Sequence, residues 1–243
     1  MRDGLYQFII STLDLFLWGG KLVGEDNLPV RGPAVFIANH HEALGPIAVY
    51  GSMPLRLYTW SVADMVDKEK AAAYLQWDFV ERTLHLNPPL SVWVARALSN
   101  FSVPFLRSLG CIPVYKGDYD RMADTLKLSM DVLRQGKFLL VFPEDNLLAK
   151  DPETRITAFQ RSFVRLGEVY YAETGKRLEF YPVAVHPKGL VMVGTPVAFD
   201  PLNRVGLERS RLKDIMEKSV RAMYLQAEHG SASEVAALTV QHK

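Results

Sequence analysis

Five apolar residues, Ala34-Val35-Phe36-Ile37-Ala38, follow the turn signal Arg31-Gly32-Pro33 and stop at the polar cluster Asn39-His40-His41-Glu42. A short unbroken apolar run bounded in this way predicts a strand buried on both faces. Pro46 then suits the first position of a following helix, and Arg56-Leu57-Tyr58-Thr59-Trp60 reads as a second strand. The same strand pattern returns at Phe138-Leu139-Leu140-Val141-Phe142 and Phe180-Tyr181-Pro182-Val183-Ala184-Val185, and more briefly at residues 190–193 and 196–199. Helical periodicity fills the intervals. It covers Lys68 to Phe79 and a segment from Asp120 with Met122, Leu126, Met130 and Leu133 on one face before Gln135-Gly136. It covers Arg155 to Thr174 with Phe159, Phe163, Leu166 and Tyr170 in one stripe, and Leu207 to Ala227, after which Glu228 onward reads as frayed. Strands alternating with helices predict an α/β fold with a central, mostly parallel sheet flanked by helices.

Two apolar stretches do not fit that rhythm. In Leu90 to Leu109, Trp93, Ala97, Phe101, Phe105 and Leu109 recur every fourth residue, and Val92, Leu98 and Leu106 widen the stripe. Core packing is one reading, an acyl-chain groove or membrane-facing surface the other, and Pro104 is expected to interrupt the helix. The amino-terminal stretch from Leu5 to Trp18 is broken by Ser11, Thr12 and Asp14. It is too short to span a bilayer, which takes about 20 apolar residues. Met1-Arg2-Asp3 and the run ending Trp18-Gly19-Gly20-Lys21 are poor matches to the basic start and small-residue cleavage site of a secretory signal. An amphipathic helix lying in a membrane interface, anchored by Phe8, Phe16 and Trp18, is preferred to a helix that caps the core. The expected organisation is an interfacial helix over residues 1–22 and a single α/β domain over 23–243.

Composition narrows the function classes. Hydrophobic residues make up 49% and charged residues 23% of the 243, and the net charge is +1, which gives no electrostatic footprint for a nucleic-acid partner. One cysteine, Cys111, excludes an internal disulfide and is consistent with a reducing compartment. His40, His41 and Glu42 lack a third ligand at zincin spacing, so no metal is expected. There is no Gly-x-Ser-x-Gly elbow for a serine hydrolase. His85, His186 and His229 are read as structural or exposed.

The polar cluster after the first strand falls at the strand's carboxyl end, the edge at which open α/β sheets bind ligands. Asn39-His40 there resembles the first motif of the glycerolipid acyltransferases, Asn-His, four residues, Asp, with Gly45 at the aspartate position. Three further segments follow in the family's order. Gly110-Cys111-Ile112-Pro113-Val114-Tyr115-Lys116 has Lys116 where the family has arginine. Phe142-Pro143-Glu144 matches Phe-Pro-Glu, with Asp145, Asn146 and Leu147 in place of Gly, Thr and Arg. Pro182-Val183 matches the fourth, hydrophobic Pro-Val motif.

The resemblance implies a glycerol-3-phosphate acyltransferase-like fold and transfer of a fatty acyl group from acyl-CoA or acyl-carrier protein to a hydroxyl of a glycerolipid-type acceptor. No cofactor beyond that acyl donor is implied. His40 would be the general base, and the carboxylate absent at Gly45 would come from Glu144, with Glu42 and Asp145 as other candidates. Asn39, Glu42, Gly45, Lys116, Asp145 and Asn146 would line the substrate site. Because Lys116 and Leu147 replace two family arginines, a phosphate monoester acceptor is expected to bind poorly. The implied partner is membrane lipid, and the implied location is cytoplasmic and peripheral to a membrane. The alternative is a catalytically silent relative that binds lipid or a partner at the membrane.

Overall fold

The computed structural model describes residues 20–40, 44–82, 84–115, 118–145 and 148–230. In chain order these form β1 (Lys21–Val23), β2 (Ala34–Ala38), α1 (Leu44–Ser52), β3 (Leu57–Val62), α2 (Ala63–Val66), α3 (Ala71–Leu75), a π-helical segment Gln76–Glu81 and α4 (Leu90–Leu109). Then come β4 (Ile112–Val114), α5 (Tyr119–Arg134), β5 (Phe138–Val141), a 3₁₀ turn Ser162–Val164, α6 (Arg165–Thr174), β6 (Glu179–His186), β7 (Leu190–Val193), β8 (Val197–Ala198) and α7 (Val205–His229). The expected interfacial helix lies outside the described residues up to residue 19. Because Lys21–Val23 is strand, the boundary expected after residue 22 falls inside β1. No helix among the described residues is long and apolar enough to cross a membrane.

The chain gathers into two compact units, one of Tyr58–Ser129 and one of the residues up to Leu57 and from Met130 onward. The larger unit holds a sheet with β2 at its centre. β2 pairs in parallel with β5 on one side and with β6 on the other, and all five of its residues are buried. That double coverage explains why the sequence is apolar throughout and does not alternate. β6 turns through residues 187–189 into antiparallel β7, which pairs in parallel with β1, while β8 pairs with the start of β6. At the amino ends of β2 and β5 the backbones nearly touch. A Cβ on Gly32 would stand 2.2 Å from the Gly136 carbonyl oxygen, so this approach requires glycine. The long helix α7 packs against β6.

In the smaller unit β3 pairs in parallel with β4, and the Trp60 indole donates to Ser129 Oγ (2.9 Å), which in turn donates to the Thr125 carbonyl (2.7 Å). Leu75, Val80 and the inner face of α4 at Ala95 form a small apolar cluster with Val94 and Leu98 around it. Pro104 does not interrupt α4, contrary to expectation, for the helix continues from Leu90 to Leu109. Pro104 and Asn100 are both on the exposed side, where water can take the carbonyl that the missing N–H leaves open.

Two further boundaries differ from expectation. The helix expected from Arg155 begins at Arg165, and the intervening residues form an irregular loop. α7 runs two residues past Ala227, so Glu228 is helical and not frayed.

Candidate active site

Asn39 continues β2 with its side chain. Buried at the strand's end, it donates from Nδ2 to the Val185 carbonyl (3.0 Å) and accepts the Val185 N–H on Oδ1 (2.7 Å). The amide thus pairs with β6 as one more backbone unit of a strand would, and the chain is locked to β6 up to the residue before His40. Asn39 was expected to line the substrate site; its side-chain amide is bonded to Val185, so it also positions His40.

His40 is held from the β5 side as well. Glu144, three residues beyond β5, accepts the His40 backbone N–H on Oε1 (2.5 Å). Its Oε2 accepts the Thr157 N–H (2.7 Å) and the Thr157 hydroxyl (3.1 Å). Glu144 was expected to partner the imidazole; the bonds it makes here are to the His40 amide and to the amide and hydroxyl of Thr157. The physical reason is competition, since buried amides at a chain reversal require acceptors and the carboxylate offers two oxygens to them. Burial pushes the Glu144 carboxyl above its ordinary range, and the amides of Thr157 and His40 and the charge of Lys150 draw it back only in part. The ring of His40 packs edge-on against Phe142, centroid to centroid 5.2 Å at 76°.

The loop from Lys150 to Arg161 takes its shape from captured polar groups. Asp151 Oδ1 accepts the Glu153 and Thr154 amides (3.1 and 2.7 Å) and the Thr154 hydroxyl (2.9 Å). These bonds hold its carboxyl below the usual range. The Gln160 amide donates to the Pro143 carbonyl (2.8 Å), pinning Phe159 beside Glu144. From α7, Arg221 donates to Thr154 Oγ1 (2.8 Å) and to the carbonyls of Ile156 (3.1 Å) and Thr157 (3.2 Å), and Glu217 accepts the Phe159 N–H (3.0 Å). Burial works to raise the Glu217 carboxyl, yet Lys213, the Phe159 amide and Arg221 hold it below the ordinary value. Within this loop Arg155 has φ 58°, the left-handed region that a side chain disfavours and that no α-helix contains.

His40 opens on a cavity of about 210 Å³ lined by Asn39, Glu144, Lys150, Thr154, Arg155, Ile156, Pro187 and Tyr224. The lining brings one imidazole together with two exposed cations, Lys150 and Arg155. Behind it the Tyr224 ring lies 4.5 Å from that of buried His186, whose Nε2 is 2.8 Å from Glu228 Oε2. His186 is thus structural, as expected, and Glu228 is held below the ordinary carboxyl range by the charge of Lys188 and by His186.

Of the other expected site residues, Gly45 lies in the first turn of α1, which starts at Leu44, two residues before Pro46. A Cβ there would stand 3.6 Å from His40 Cα, an ordinary contact, so a β-carbon fits at the position where the family has aspartate. Asp145 accepts from Gln160 Nε2 (2.8 Å) and is not among the described residues of the cavity lining. Glu42, Lys116 and Asn146 lie outside the described residues. Lys150, Arg155 and Tyr224 were not anticipated. Nothing in their local sequence marks them, because a loop clamped from α7 brings the first two to the cavity.

A parallel strand pair flanking a central strand that ends in a histidine over a cavity defines a mixed α/β fold with its candidate site at the carboxyl edge of the sheet. No family model and no curated protein matches the sequence. The fold is similar to that of the 1-acyl-sn-glycerophosphate (LPA) acyltransferase PlsC from Thermotoga maritima. The TM-score is 0.55 at 14% identity, over 96% of this chain and 85% of that one.

Proposed function

We propose that the protein transfers a fatty acyl group from a thioester donor, acyl-CoA or acyl-carrier protein, to a hydroxyl of a glycerolipid-type acceptor. The observation that carries this reading is His40, fixed through its own amide and through Asn39 at the end of β2, in the lining of a cavity that also includes two cations. His40 takes the proton of the acceptor hydroxyl as the oxygen attacks the thioester carbon. The C–O bond forms, the C–S bond breaks, and the imidazolium returns the proton to the departing thiolate. Lys150 and Arg155 line the same cavity and would offer positive charge to a phosphate on one of the two substrates. Positions 116 and 147 lead to an expectation of poor phosphate-monoester binding, the two cavity cations to the opposite one, and paired acceptors with and without the phosphate decide between them.

The test is incubation of the full chain with labelled acyl-CoA or acyl-carrier protein and paired acceptors, a lysophosphatidic acid and the matching monoacylglycerol. Transfer that disappears in His40→Ala supports the reading. Lys150→Ala and Arg155→Ala should raise KM for the phosphate-bearing substrate more than they lower kcat. Absence of transfer across the panel, with vesicle binding intact, would instead indicate the silent lipid-binding relative.

A further inference from the structure

Among the described residues the most exposed large aromatics, Trp77, Trp93 and Phe101, belong to the smaller unit, Tyr171 at 37% being in the larger one, and two of the three share one face of α4. Leu90, Trp93 and Phe101 are 54%, 69% and 70% exposed. With the exposed Ala97 and Pro104 they form a stripe along the helix, since positions 90, 93, 97, 101 and 104 follow the three-and-four spacing of a single face. The Phe101 and Phe105 rings stack at 5.8 Å, which stiffens the middle of the stripe. The opposite face, through Ala95 and Ser99, is buried. The helix has its core side satisfied and a second apolar side in water.

Charge identifies what covers that side. In its 20 residues α4 has no aspartate or glutamate, while Arg96 and Arg107 are exposed along one margin of the stripe with Asn100 between them. An apolar stripe with tryptophan and phenylalanine, edged by cations and free of acids, is the composition that lies in the headgroup region of an anionic bilayer. A second copy of the chain fits less well. A two-fold pair of copies sets the same face against itself, and a helix that has Arg96 and Arg107 at the margin and no acid offers those cations no partner there. We infer that the outer face of α4 is a membrane-docking surface that inserts Leu90, Trp93 and Phe101 into anionic lipid with Arg96 at the phosphates. This inference does not depend on the proposed chemistry, because none of these residues lines the His40 cavity.

The full chain should sediment with vesicles of phosphatidylcholine containing about a third phosphatidylglycerol. The double substitution Trp93→Ser and Phe101→Ser should lower the partition coefficient at least about tenfold with an unchanged melting temperature, since both side chains are already in water. Arg96→Glu should weaken binding to the mixed vesicles and leave binding to pure phosphatidylcholine as it was. Leu202→Ser, which removes an 85% exposed leucine from the other unit, should change nothing. Equal partition of the double variant and the parent would overturn the inference. So would a parent that is dimeric without lipid and becomes monomeric in the double variant, because the occupant would then be a second copy. Transfer of a soluble, short-chain substrate pair is expected to persist in the double variant, so loss of docking and loss of chemistry are read separately.

Discussion

The end of β2 and the outer face of α4 use side chains in opposite ways. Around His40 polar groups are captured in pairs, with the amide of Asn39 on Val185 and both carboxylate oxygens of Glu144 on the amides of His40 and Thr157. On α4 three large apolar side chains stand in water with no partner among the described residues of the helix beyond the Phe101–Phe105 stack. A proton-transfer group must be held within a fraction of an ångström of its working place, and directional hydrogen bonds do that. A lipid surface is fluid and offers no fixed partner, so area and charge suffice. The contrast implies that substitutions at the carboxyl end of β2 change rate or stability, whereas those on the outer face of α4 change membrane partition alone.

The sharpest way to break this contrast is His40→Ala. Loss of a general base should lower transfer by roughly 10² to 10⁴ with the thermal transition unmoved. A large loss of stability with it would make His40 part of the scaffold. Next comes Asn39→Ala, which orphans a buried N–H and C=O on β6 and is expected to cost about 2–4 kcal/mol in denaturant unfolding. Glu144→Gln replaces one acceptor oxygen by a donor aimed at an amide. It should cost about 2 kcal/mol and lower kcat, and a pH profile that keeps its midpoint would mark Glu144 as acting through the His40 amide. A downward shift of the His40 midpoint would instead restore Glu144 to the imidazole.

Smaller effects sharpen the picture of the loop. Asp151 and Glu217 have carboxyls held below the ordinary value, so their contribution is complete above about pH 4.5 and disappears as pH falls through the folded value. Glu217→Gln should therefore flatten the acid limb of stability. Glu144 has the opposite sign. Its raised value means that its contribution is complete below the ordinary carboxyl pKa and is lost as pH rises through the folded one. Arg155→Gly should relieve the left-handed backbone and raise stability by up to about 1 kcal/mol, while raising KM for the phosphate-bearing substrate. The least disruptive variant is Gly45→Asp. The Cβ meets only ordinary contacts, so stability should change by less than about 1 kcal/mol. The added carboxylate should move the His40 midpoint to higher pH, since a nearby negative charge favours the imidazolium.

What the sequence determined by itself is what short-range pattern can encode. An apolar run of five residues has to be buried on both faces, so β2, its neighbours β5 and β6, and the placement of His40 at their carboxyl edge were all legible from hydrophobic runs and turn residues. The periodic helices α4, α5 and α7 were legible for the same reason, although the stripe on α4 left open whether it packed in the core or faced outward. Only the tertiary structure decided the rest. Residues 155–161 have a helical pattern, yet Arg221, Glu217 and Glu144 capture their amides, hydroxyls and carbonyls from elsewhere in the chain, and those bonds outweigh a propensity worth a few tenths of a kcal/mol per residue. Glu144 was visible as a carboxylate near His40, but which of its possible donors it would accept depended on Thr157, thirteen residues further on. Hydrogen bonds between residues distant in sequence leave no period in the sequence. The partners of Asn39 and the cations of the His40 cavity could therefore be found only once the chain was folded.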